Sequence, residues 1–267
     1  MPQRTNRAND NVINKSIKES KEPQAFKIAR IIPLYKKGAA NECGNYRPVS
    51  LLSALSKILE KATCRQLMMF LNKNNLLCEN QYGFRPRSST THVQKMLNFI
   101  TEESRQNRIT VATYIDLSKA FDCLQYDKLF TKMHYLGFSK NALQWFRDYL
   151  TDRKQMIDLD GELSETIPMK LGVPQGSILG PILFLIYVND INKCNTNATH
   201  TKFANDTTVL TSGNTLEEAV TKMNQTLSDI DTWFKRNKLG LNPSKTRYMI
   251  FNHKTEVTNL VKIGANT

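Results

Sequence analysis

The feature that most constrains this chain is Thr199-His-Thr-Lys-Phe-Ala-Asn-Asp-Thr-Thr-Val-Leu-Thr211, two short β-prone runs around Asn205-Asp206. Asn-Asp readily forms a tight turn, so the segment predicts a β-hairpin with an acid at its tip. An acid held on a rigid tip can bind a metal ion if other carboxylates converge on it; alone, it reads as a surface turn. What decides between these lies elsewhere in the chain.

A second acid sits near the end of the most strand-like run, Ile109-Thr-Val-Ala-Thr-Tyr-Ile-Asp-Leu117. A carboxylate embedded among β-branched residues is costly unless it is paired or metal-bound, so Asp116 stands out. On adjacent strands of one sheet, Asp116 and Asp206 could meet. That arrangement suits two divalent ions clamping the attacking and leaving oxygens of a phosphoryl transfer. Gly172-Val-Pro-Gln-Gly-Ser-Ile-Leu-Gly-Pro181 adds a stretch whose glycines let backbone approach a ligand closely, at the mouth of an apolar helix running to about Asn189.

The rest of the chain supplies mixed elements. Residues 1–24 are polar, without a sustained apolar period, and predict a mobile basic arm. Phe26–Tyr35 reads as a strand ending in the basic turn Lys36-Lys37-Gly38. Pro48 holds the residue before it extended, Ser50 is placed to cap a helix, and an amphipathic helix follows to about Asn72. Glu79–Ser89 is a loop with Arg85 and Arg87 beside Tyr82 and Phe84, a mixture suited to a phosphate backbone with stacked bases and equally to a solvated loop. A helix from about Thr90 to Arg105 is expected to bury Val93, Met96, Leu97 and Ile100. Gly137 ends one later helix and Ser139 caps the next. Asp160-Gly161 marks a second hairpin, Thr215-Leu-Glu-Glu218 is a capping box, and Arg247–Asn252 is a last strand. Strands widely separated in sequence favour an α+β fold over a doubly wound one.

Charge and cysteine usage narrow the setting. The formal net charge of +13 favours polyanionic partners, nucleic acid first. Five scattered cysteines with no C-x-x-C pair argue against a disulfide framework or a zinc site and for a reducing, intracellular compartment, nuclear or cytoplasmic. The longest apolar run, Ile178–Val188, is broken by Gly180-Pro181 and too short to span a bilayer, so no membrane is expected. His92, His134, His200 and His253 show no metal-ligand spacing.

Six segments in fixed order carry a resemblance. They are Ala29–Gly38, Asn45-Tyr-Arg-Pro-Val-Ser-Leu-Leu52, Gln81-Tyr-Gly-Phe-Arg85, Tyr114-Ile-Asp-Leu-Ser-Lys-Ala-Phe-Asp122, Gly172–Pro181 and Phe203-Ala-Asn-Asp206. Together they resemble the reverse transcriptase domain of non-LTR (LINE-type) retrotransposons, over roughly residues 25–252. The resemblance implies a right-hand polymerase: fingers over about 25–108, and a palm over about 109–252 whose antiparallel sheet packs on helices and which includes a helical and hairpin segment at 126–172. It implies RNA-directed DNA synthesis from dNTP substrates with two Mg²⁺ ions, an RNA template and a DNA primer. Asp116 would be the first metal-binding aspartate and Asp206 the last. Phe121 would be the gate excluding a ribose 2′-hydroxyl, and Gln175 and Gly176 would line the nucleotide and template pocket. Lys37 and Arg47 would hold the incoming triphosphate through charge-assisted bonds. Lys245 is similar to the lysine that protonates departing pyrophosphate.

Two departures from the family pattern bear on activity. Where the hairpin normally reads Phe-Ala-Asp-Asp, this chain has Asn205 in place of the first acid. An amide oxygen can ligate Mg²⁺ but is neutral, and losing a catalytic charge commonly costs on the order of 10²–10⁴ in rate. The second departure is that the sequence stops within about fifteen residues of Phe251, before the family's primer-grip hairpin and helical thumb, leaving 253–267 as a tail. The expectation is a polymerase domain of impaired activity. The alternatives are a non-catalytic pseudo-polymerase that binds RNA or RNA–DNA hybrid, and a fragment without function.

Overall fold

A computed structural model describes residues 2–85, 89–195, 197–253 and 261–262. The chain forms two compact units, each assembled from two stretches: residues 1–76 with 121–187, and 77–120 with 188–267.

The first unit contains α1 (Pro2–Glu19), β1 (Ile28–Tyr35), β2 (Tyr46–Leu51), α2 (Ala54–Lys73), α4 (Tyr126–Tyr135), α5 (Lys140–Leu150), β5 (Lys154–Leu159), β6 (Glu162–Leu163), β7 (Ile167–Pro168) and α6 (Leu179–Tyr187). Its sheet runs β2-β1-β5-β6, with β7 also on β5; β1 pairs antiparallel with β2 and parallel with β5. Asp160 and Gly161 both take positive φ, +52° and +94°, as a type I′ turn between twisted strands requires. The nearly all-apolar α6 is buried along its length, as its sequence predicts.

Where the sequence predicts a mobile arm, Pro2–Glu19 is helical. Its last turns and the chain just after it are anchored by polar partners that composition does not reveal. The Trp145 indole N–H donates to Ser16 Oγ at 3.0 Å, and Arg153 donates to Glu22 Oε2 at 2.7 Å. Ser50 does not cap a helix: it lies buried in β2, donating its N–H to the Gln175 carbonyl at 2.7 Å, and Ser53 caps α2 by accepting from Ser56 N. The partner for Ser50 comes from more than a hundred residues away, so local pattern could not locate the strand end.

The second unit contains α3 (Ser89–Arg105), β3 (Ile109–Ile115), β4 (Leu117–Ser118), β8 (Thr199–Phe203), β9 (Asp206–Gly213), α7 (Leu216–Arg236), β10 (Gly240–Leu241) and β11 (Arg247–Phe251). Its four-stranded sheet is antiparallel throughout, in the order β11-β3-β9-β8. α3 packs on β3 and β8, and α7 on β9 and β3. Thr215 caps α7 by accepting from Glu218 N at 3.2 Å, and the Glu218 carboxylate returns to Asn214 N at 2.8 Å. Of the four apolar residues expected to be buried on α3, Ile100 is buried and Met96 partly so. Val93 and Leu97 are exposed, because the helix presents a narrower stripe to the sheet than the sequence period suggests.

Candidate functional site

The register of β3 on β9 brings the two acids together. Ile115 pairs with Thr207 as the last pair of the ladder, so Asp116 and Asp206, the adjoining residue on each chain segment, line the same cleft. Hydrophobic β3 is buried between its two partner strands, so its register is fixed by the core, and the carboxylates emerge where the strand leaves it.

Asp116 is held on several sides. Its N–H donates to Thr246 Oγ1 at 3.3 Å, its carbonyl accepts from Asn242 N at 2.9 Å, and its Oδ2 accepts from Asn242 Nδ2 at 3.1 Å. Lys245 Nζ stands 3.9 Å from the same Oδ2. The Asn242–Thr246 turn therefore serves as a bracket for the acid.

The hairpin differs from expectation by one residue. Phe203 pairs with Asp206, so the two-residue turn is Ala204-Asn205 and Asp206 begins β9. Ala204 takes φ +60°, the left-handed region that a type II′ turn needs at its first central position. For a residue with a Cβ this costs about 1 kcal/mol, so something must hold it. Asn205 sits at the tip with its amide Nδ2 3.4 Å from Asp206 Oδ1. Partial desolvation, followed by the negative charge of Asp116, pushes the Asp206 carboxyl above its ordinary value.

Asp116, Asp206 and Lys245 share an open cleft of about 690 Å³ with His92, Tyr114 and Phe203. The His92 ring lies 5.6 Å from that of Tyr82 and 5.9 Å from that of Phe203. Burial lowers the His92 pKa while Asp206 pulls it back up. Neither spacing nor composition marks His92 as a neighbour of the acids. Only the packing of α3 on β8 brings it there.

The two carboxylates are hard oxygen donors of the kind that hold a divalent ion, while Asn205 presents its amide nitrogen to Asp206. Among the described residues no group of three or more His, Cys, Asp or Glu side chains converges as a metal site.

The remaining predicted residues divide between the units. In the first unit, Lys37 is exposed in the turn joining β1 and β2, and Arg47 is exposed on β2 opposite Leu34. Phe121 lies with its ring 4.9 Å from Phe184. Gln175 Nε2 donates to Asp122 Oδ1 at 2.8 Å, an acid absent from the expected site. Gly176 has φ +121°, and a Cβ there would stand 2.7 Å from the Ser50 carbonyl oxygen, so only glycine lets the loop meet β2. In the second unit, Arg85 donates to the carbonyls of Cys78 and Gln81, both at 3.2 Å. Arg87 lies outside the described residues. No helix among the described residues is long and apolar enough to cross a membrane.

Residues 34–261 match the family described as "Reverse transcriptase (RNA-dependent DNA polymerase)". The chain is 33% identical over 244 residues to the "Probable RNA-directed DNA polymerase from transposon BS" of Drosophila melanogaster, covering 87% of this chain and 27% of that protein. It is 28% identical over 248 residues to the RNA-directed DNA polymerase from mobile element jockey of the same species, covering 87% of this chain and 26% of the relative. The chain thus spans about a quarter of the length of these relatives. Among solved structures, a telomerase from Candida albicans matches with a TM-score of 0.63 at 14% identity, over 91% of this chain and 45% of that one. Apo telomerase from Candida tropicalis matches at 0.62 and 14%, over 92% and 55%. At that identity the likeness speaks for the fold alone, a fingers-and-palm polymerase fold. With the family match spanning most of its length, the chain belongs to the reverse transcriptase family, as a domain of the kind found in LINE-type elements.

Proposed function

We propose that this chain is the fingers-and-palm part of an RNA-directed DNA polymerase of a non-LTR retrotransposon, with nucleotidyl transfer impaired by Asn205. The observation that carries the reading is the convergence of Asp116 and Asp206 on one cleft at the end of the β3–β9 ladder, with a neutral amide next to Asp206 at the hairpin tip. The fingers at about 25–108 and the palm at about 109–252 go with this reading.

In it, Asp116 and Asp206 hold divalent metal. Mg²⁺ bound there would polarise the phosphoryl oxygens and lower the pKa of the primer 3′-hydroxyl. The chain's own groups bind and orient. Lys37 and Arg47 neutralise the triphosphate of a dNTP, Gln175 and Gly176 line its pocket, and the Phe121 ring fills the space a 2′-hydroxyl would need. Lys245, 3.9 Å from Asp116, would deliver a proton to departing pyrophosphate. Arg85 and Arg87 would be the contacts to the RNA template and DNA primer. The basic balance of the chain supports a nucleic-acid-bound role.

Binding to an RNA–DNA hybrid tests the partner. The reading predicts binding without Mg²⁺ that weakens steeply as salt rises, since each neutralised phosphate releases counterions. Binding that is absent at low salt, or indifferent to salt, contradicts it. A purely non-catalytic binding role has no separate observation in its favour.

A further inference from the structure

The strained turn at Ala204 needs a support, and the second unit contains one. Lys202 N donates to the Asn80 carbonyl at 2.8 Å and Tyr82 N donates to the Lys202 carbonyl at 2.8 Å, which adds the 80–82 segment to β8 as a short parallel bridge at Gln81 and Lys202. Gln81, 2% exposed, then reaches past that bridge to the turn itself. Its Oε1 accepts from Ala204 N at 3.3 Å and from Gly83 N at 3.0 Å, while its Nε2 lies 3.5 Å from the Ala204 carbonyl. One amide thus meets both backbone polar groups of the residue at φ +60°. Gly83 makes the approach possible: a Cβ there would stand 2.0 Å from Ala204 N and 2.7 Å from its Cα.

We propose that Gln81 is a positioning residue for the Asp206 hairpin, and that Gly83 is the steric partner that lets it seat. One residue, Asn205, separates the clamped Ala204 from Asp206, so the clamp sets the direction in which the carboxylate leaves the turn. The segment Gln81-Tyr-Gly-Phe-Arg85 therefore acts on the acids through backbone, whatever its outer residues contact. The physical case rests on satisfaction. A buried amide that serves a turn's N–H and C=O at once cannot be removed without orphaning them, and the turn then relaxes from its left-handed residue. This inference rests on the reading of Asp116 and Asp206 as divalent-ion ligands, and its test separates the two.

The experiment titrates the full chain with Mn²⁺, followed by electron paramagnetic resonance, and measures amide exchange at Ala204 by hydrogen–deuterium exchange. Gln81→Met keeps the bulk and removes the bonds. The expected result is Ala204 exchange faster by about tenfold and Mn²⁺ affinity lower by about tenfold, the size set by one or two lost hydrogen bonds. Gln81→Glu keeps an acceptor for both N–H groups but loses the donor to the Ala204 carbonyl, so its losses are expected to be smaller than those of Gln81→Met and larger than none in both readouts. Gly83→Ala should displace the turn and give the larger loss; if it does not fold, the two Gln81 variants decide. Asp206→Asn checks the underlying reading. If that change leaves Mn²⁺ binding intact, the metal assignment fails, while the clamp stands or falls on Ala204 exchange. If Asp206→Asn abolishes binding and Gln81→Met alters neither readout, the clamp is overturned.

Discussion

Gln175 Nε2 donates to both carboxylate oxygens of Asp122, at 2.8 and 3.1 Å. A carboxylate has only acceptors to offer, so the amide must face it nitrogen first, which turns Gln175 Oε1 away from Asp122. The Gln175 carbonyl is fixed in turn by Ser50 N. The residue proposed to line the nucleotide pocket is thus held as an oriented acceptor.

Asp122→Ala is expected to release that amide and weaken dNTP binding by about tenfold, the scale of one charge-assisted hydrogen bond. Asp122→Asn, whose side-chain oxygen still accepts, should recover most of the affinity. Displacement of a fluorescent dNTP measures both. Equal affinity in the native and Ala variants would show that Asp122 does not orient the pocket.

Phe121 gives a specificity prediction. Its ring leans on Phe184 at 4.9 Å, a contact that fixes its position. Phe121→Ala should raise binding of ATP relative to dATP by about tenfold or more, since the space for a 2′-hydroxyl opens. The ratio of the two affinities in a competition assay is the readout. An unchanged ratio removes Phe121 from the role of gate.

A third prediction concerns stability and pH. Burial pushes the Glu22 carboxyl up to about 7, against the pull of Arg153; Glu60 raises it further and Lys27 lowers it. An acid whose folded pKa lies above its unfolded one is held more tightly protonated in the folded chain. Its contribution to stability is therefore largest below the unfolded value and is lost as pH rises through about 7. His92 and His200, whose pKa values burial lowers, act with the opposite sign, so the difference between variants is the clean quantity. Glu22→Gln should gain stability relative to the native chain as pH rises from about 4.5 to 7, by on the order of 1–3 kcal/mol, and the gain should level off above that. Chemical denaturation at a series of pH values measures it. A difference that is flat or falls with pH contradicts the assignment.

Local pattern made the sheet of the second unit legible. β3 stood out by its β-branched run, the hairpin by Asn205, and α7 by its capping box, because each signal lies within a few residues. The register that brings Asp116 to Asp206 was available only as a possibility, since pairing two strands about 90 residues apart is a tertiary event. Turn placement failed by one position because Ala204 occupies a left-handed residue that propensity assigns to Asn. The clamp by Gln81, the Asp122 contact and the Asn242 bracket on Asp116 each join segments far apart in sequence. The buried carboxylate of Glu60, which takes the Tyr149 hydroxyl at 2.7 Å and Ile178 N at 2.6 Å, lies on what reads as an ordinary amphipathic helix. Helix α1 escaped for the same reason: buried Ser16 in its last turns and buried Glu22 just beyond it find their partners on α5 and just before β5.

The central claim is that the hairpin is the catalytic turn of a reverse transcriptase palm and that Asn205 limits it. Primer extension with Mg²⁺ and dNTPs on an RNA template, comparing the native chain with Asn205→Asp, tests this most directly. The account predicts extension near background for the native chain and a rise of about a hundredfold or more on restoring the acid, within the usual range for a lost catalytic charge. Vigorous extension by the native chain, unchanged by Asn205→Asp, would contradict it.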